Sequence, residues 1–140
     1  MREVQIPPQR IAIMKMIWGS FILTVLVFGG VLQFATLMSA TDASMDYIFG
    51  GGALFCAGLA IFMPGAIYRN RKAAGEEGLV DALFISWLLR VVFFEQVAVL
   101  GFMNAFTTGR PDIFLVYGAV SVVGIMTSFP TENRLKTIFG

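Results

Sequence analysis

The chain has 140 residues, of which 57% are hydrophobic and 14% charged, against about a quarter charged in soluble domains, so water is excluded as its main solvent. A net charge of +1, with the basic residues in short clusters, offers no basic face to a nucleic acid. The single cysteine, Cys56, excludes an internal disulfide, and the absence of histidine removes the commonest metal ligand and general base.

The first apolar run spans about residues 11–38 and carries no charge from Met16 to Thr41. That is too long for the core of a secretory signal, so the run reads as a retained anchor. A polar link containing Ser39, Thr41, Asp42, Ser44 and Asp46 leads to a second run, about residues 47–68. A third covers about 79–106, and Thr107, Thr108, Gly109, Arg110 and Pro111 separate it from a fourth at about 113–129. Each has the length that a helix needs to cross roughly 30 Å of hydrocarbon. Barrel strands would alternate apolar and polar residues over about ten positions, and these runs do not.

The sequence therefore predicts an all-α integral membrane protein, an antiparallel bundle of four transmembrane helices forming a single membrane domain over residues 1–140. The short links force neighbouring spans to run in opposite directions. Basic residues fix the expected orientation. Arg2, Arg10 and Lys15 precede the first span, Arg69, Arg71 and Lys72 form the central loop, and Arg134 and Lys136 follow the fourth, whereas the other two links hold only Arg110. Both termini and the central loop are then cytoplasmic, and a bacterial inner membrane is the expected location. Glu76, Glu77 and Asp81 near the start of the third span, and the cations at the end of the second, match the helix macrodipoles. Pro130, Thr131 and Glu132 predict a short interfacial helix containing Arg134, Leu135, Ile138 and Phe139. Trp18, Tyr47, Tyr68 and Trp87 fall where amphipathic rings reach the headgroups.

Glu95 is the residue that anchorage does not require. It stands near the middle of the third span, where an ionised side chain costs about 2.5–3.5 kcal/mol, so such groups are protonated, paired or set along a wet path. Glu95, with Gln96 beside it, is the candidate site for a proton or sodium ion; a structural hydrogen bond to Gln33, Tyr47 or another subunit is the competing reading. Arg90 is the nearest opposite charge. Five residues of helix turn the two side chains about 140° apart, which disfavours an intrahelical pair and leaves Arg90 as an interfacial anchor.

Small residues mark the second span. Gly52, Cys56, Ala60 and Pro64 recur every four positions beside Gly50 and Gly51, which lets another backbone approach closely, either in the same chain or in a second copy. Pro64 is expected to kink this helix. The 14 phenylalanines and 8 methionines read as lipid-facing or interhelical filler. No nucleotide-binding, zinc-protease, redox-cysteine or serine-hydrolase motif is present, so catalysis and a bound metal or organic cofactor are not expected.

Glu95-Gln96-Val97-Ala98-Val99-Leu100-Gly101-Phe102 resembles the ExxAxxG(L/F) segment of the proteolipid (c-type) subunits of rotary ATPases. The glycine-rich second span and the loop with Arg69-Asn70 and Ala73-Ala74-Gly75 extend the resemblance to the middle half of the chain. It implies an ion-carrying carboxylate at Glu95, a packing role for Gly52, and a homo-oligomeric ring. In that family's four-helix members the carboxylate usually lies on the last span, and here it lies on the third. The other expectation is a non-catalytic accessory subunit that docks another membrane protein, with Glu95 in an interhelical contact.

Overall fold

A computed structural model describes residues 6–34, 43–73 and 78–139. Arg2, Ser39, Thr41, Asp42, Glu76 and Glu77, to which the sequence assigned roles in topology, linking or capping, lie outside the described residues, as do the side chains of Lys136, Ile138 and Phe139. The described elements are all helices: α1 (Pro8–Phe34), α2 (Ala43–Ala73), α3 (Leu79–Thr108), α4 (Pro111–Thr127) and α5 (Glu132–Phe139). Three of them, α1, α2 and α3, are long and apolar enough to cross a membrane, and α4 is an apolar helix of 17 residues.

The helix ends follow from local chemistry. Gly109 stops α3 in the left-handed conformation at φ 69°, and the Arg110 N–H closes back on the Ala105 carbonyl at 3.1 Å. Pro111 then opens α4 at a position where its missing N–H costs nothing. Before α5, the Thr131 hydroxyl accepts a hydrogen bond from the Arg134 N–H at 3.4 Å, as a capping residue does. α2 continues through Pro64 to Ala73, beyond the apolar run ending at Tyr68. At 31 residues it is about 46 Å long, more than the hydrocarbon requires, and Arg69, Arg71 and Lys72 are exposed on its final turns.

α3 is the hub. In its most apolar stretch 39% of residues are buried, against 11% for α1 and 17% for α2, because α3 packs against all four other helices. Its register with α4 is antiparallel and exact in spacing: Arg90 meets Ser128, Phe94 meets Gly124 and Gly101 meets Tyr117, so each step along α3 is matched by an equal step back along α4. Two of these contacts are reciprocal. The Phe94 ring occupies the notch at Gly124, and the Tyr117 side chain occupies the notch at Gly101; a Cβ on either glycine would overlap the ring opposite. α1 runs parallel to α3, with Arg10 over the Phe84 ring and Phe28 against Phe102 at 4.9 Å between centroids.

Most of the basic residues gather at one end, where Arg10 also pairs with Asp81 at 2.7 Å. Arg10, Lys15, Arg69, Arg71, Lys72 and Arg134 lie at the end where α1 begins and α2 and α4 finish. At the opposite end Arg110 is flanked by Asp46 at 3.6 Å and Asp112 at 3.7 Å.

Candidate functional site

α3 carries the polar chemistry, and the two ionisable residues in its middle, Arg90 and Glu95, part company. The Arg90 guanidinium turns toward the end of α4, donating through Nε to the Ser128 hydroxyl at 3.0 Å while lying 5.7 Å from the centre of the Phe94 ring. Ser128 in turn donates to the Gly124 carbonyl at 2.9 Å. Glu95 takes no part in this. It is half-buried and makes no hydrogen bond or ion pair with any described residue.

Helix geometry gives its direction. Glu95 lies seven residues before Phe102 and eleven after Phe84, two spacings that return to nearly the same side of a helix. Since Phe102 packs on Phe28 and Phe84 lies under Arg10, Glu95 stands on the flank of α3 that faces α1. Gln96 is turned about 100° further on and shares its stripe with Ile85 and Met103, both substantially exposed. The neighbouring amide thus lies off the flank of the carboxyl group. Gln33 is exposed near the far end of α1 and Tyr47 is exposed on the first turns of α2, and neither is hydrogen-bonded to Glu95.

The small residues of α2 divide between the bundle and the outside. Ala60 and Pro64 are fully buried, a Cβ on Gly52 would lie 3.3 Å from a Leu100 methyl, and one on Gly50 would lie 3.4 Å from the Tyr117 hydroxyl. Cys56 is half-buried, while Gly51 is exposed with open space beside it. Part of the ridge therefore serves contact with α3 and α4 of the same chain, and Gly51 is left on the outer surface. Gly52→Ala is expected to be nearly neutral, since the Leu100 methyl is the end of a flexible side chain. Ala60→Leu, which has no free space, is expected to cost about 1–3 kcal/mol; the two melting temperatures in detergent check the contrast.

Of the four rings that the sequence sets at the span ends, two turn into the bundle. Trp87 is fully buried and Tyr68 nearly so, whereas Tyr47 is 82% exposed. Both indoles, buried Trp87 and half-buried Trp18, are tied to the end of α4, whose last carbonyls have no partner within the helix. Trp18 Nε1 donates to the Ile125 carbonyl at 2.8 Å, Trp87 Nε1 to that of Ser128 at 2.7 Å, and an Arg134 guanidinium nitrogen to that of Met126 at 3.1 Å.

Comparison with protein families, with characterised proteins and with solved structures found no match. Among the described residues no three histidine, cysteine or acidic side chains come together as a metal site would need. Among the described residues, the buried side-chain polar atoms without partners are Ser86 Oγ, Asn104 Oδ1, Ser121 Oγ and Asp46 Oδ1. Ser121 lies in depth between Gly124 and Tyr117, the interval that Phe94 to Gly101 spans on α3 and that holds Glu95.

Proposed function

We propose that the chain is a non-catalytic, four-span membrane subunit that assembles with copies of itself and uses Glu95 to take up and release a proton. The observation that carries this reading is the half-buried Glu95 carboxyl, which has no hydrogen-bonding or ionic partner among the described residues while Arg90 is engaged elsewhere. A carboxylate in hydrocarbon needs a proton, a cation or a partner. A proton suits this site better than sodium because one carboxyl group holds it unaided, whereas a sodium ion wants several oxygens and Gln96 lies on another side of the helix. The likeness of Glu95–Phe102 to the ion-carrying segment of rotary proteolipids supports the same chemistry, with a neighbouring copy closing the site.

α4 crosses the membrane in this reading. Its 17 residues reach the short end of the spanning range, and the collection of basic residues at one end favours cytoplasmic termini. A bacterial inner membrane fits that orientation.

A hydrophobic carbodiimide tests the proposal, since it takes the proton of the neutral acid and its central carbon is then attacked by the carboxylate oxygen. Labelling of the protein in membranes is expected at Glu95, declining as pH is raised, and lost in Glu95→Gln with assembly intact. No labelling at any pH would overturn it. The accessory-subunit reading rests on the same unpartnered carboxyl seeking a donor in another protein; it predicts that Glu95→Gln, which keeps a hydrogen-bonding group, leaves complex formation unchanged and that pH has no effect.

A further inference from the structure

A groove of about 400 Å³ runs between α1 and α4 toward the end opposite the basic cluster, within the size range of small-molecule sites. Its floor is the Phe114 ring, set between two glycines: a Cβ on Gly29 or on Gly118 would come within 3.3 Å of it. Its walls are aliphatic, with Leu26 on the α1 side. Its mouth is polar, formed by Gln33 from the last turn of α1 and Asp112 from the first turn of α4.

The polarity follows the axis of the helices. Leu26 and Gly118 lie deeper along α1 and α4, whereas Gln33 and Asp112 lie at helix ends, where a spanning bundle meets the headgroups. An acyl chain satisfies the first environment, and the charges at the second specify what accompanies it. Arg110 and Asp112 face each other at 3.7 Å, and both side chains are more than half exposed. A guanidinium beside a carboxylate complements a phosphate beside a primary ammonium. A purely anionic headgroup would satisfy Arg110 and be repelled by both Asp112 and Asp46.

We infer that the α1–α4 groove binds one amine-bearing zwitterionic phospholipid, with an acyl chain over Phe114, its phosphate on Arg110 and its ammonium on Asp112 and Gln33. The site is independent of Glu95, which lies on α3.

Native mass spectrometry of the delipidated protein, titrated separately with dioleoyl phosphatidylethanolamine and dioleoyl phosphatidylglycerol, tests the assignment. One phosphatidylethanolamine is expected to remain bound, about threefold more tightly than phosphatidylglycerol, a preference of the size one exposed ionic contact supports. Asp112→Asn is expected to abolish the preference. Leu26→Trp, at a wall position 63% exposed and therefore tolerant of a larger ring, is expected to fill the groove and remove both adducts. Equal retention of the two lipids by the native chain would overturn the headgroup assignment. Undiminished retention by a folded Leu26→Trp protein would overturn the groove as the site; if that variant does not fold, an unchanged preference in Asp112→Asn overturns the proposal instead.

Discussion

Replacing Gly101 by alanine is expected to be among the most damaging single-methyl additions to this chain. The new Cβ would fall on the Cβ and Cγ of Tyr117, atoms that stay close to the α4 backbone and cannot swing away as a side-chain tip can. Relief requires α3 and α4 to separate, and that separation also withdraws Phe94 from Gly124, because both contacts belong to one register. In lipid, where helix association depends on close van der Waals packing with no water to expel, the loss is direct. A cost at or above the upper end of about 1–3 kcal/mol is expected. Thermal unfolding in a mild detergent measures it, with Gly19→Ala as control, since nothing lies within 4 Å of a Cβ at that position. If both variants melt with the native protein, the glycine notches do not hold the two helices together.

Much of this architecture is legible in the sequence because lipid permits so few alternatives. Continuous apolar runs of spanning length must become helices, and Gly109-Arg110-Pro111 carries both a stop and a start signal in three residues. The separation of Arg90 from Glu95 was also accessible, since a spacing of five residues places them on different sides. The pairing of α3 with α4 was harder to see. Small residues crowd α2, while the α3–α4 contact uses only one glycine on each helix. A signal does exist: Phe94 precedes Gly101 by seven residues and Tyr117 precedes Gly124 by seven, so two antiparallel helices carry the same aromatic-to-glycine spacing. The positions of Trp18 and Trp87 were not recoverable from hydropathy, which locates a span end and says nothing about which neighbouring carbonyls need donors there. Glu95 was conspicuous by position alone, but that its flank faces α1 depends on knowing which helices α3 touches.

Trp87 should be a principal determinant of stability, and the reason differs from ordinary core packing. Its indole is fully buried and its N–H is committed to the Ser128 carbonyl at 2.7 Å, while the Ser128 hydroxyl receives Arg90. Trp87→Ala removes a large ring, leaves a cavity beside Phe84 and strands a carbonyl at the end of α4, for an expected cost of about 3–5 kcal/mol. Trp87→Phe keeps most of the ring and removes the donor, so its cost, about 1–2 kcal/mol, isolates the hydrogen bond. The two variants should also differ at Arg90. Loss of the ring loosens the last turn of α4 and with it Ser128, so Arg90 is expected to gain access to solvent in Trp87→Ala more than in Trp87→Phe. Reaction of the Arg90 side chain with a water-soluble dicarbonyl reagent, followed by mass spectrometry, reads that access directly, and melting in detergent gives the stability. A Trp87→Phe protein as unstable as Trp87→Ala would assign the whole effect to the indole N–H. A Trp87→Ala protein with native melting would mean that the end of α4 is held by Trp18 and Arg134 without it.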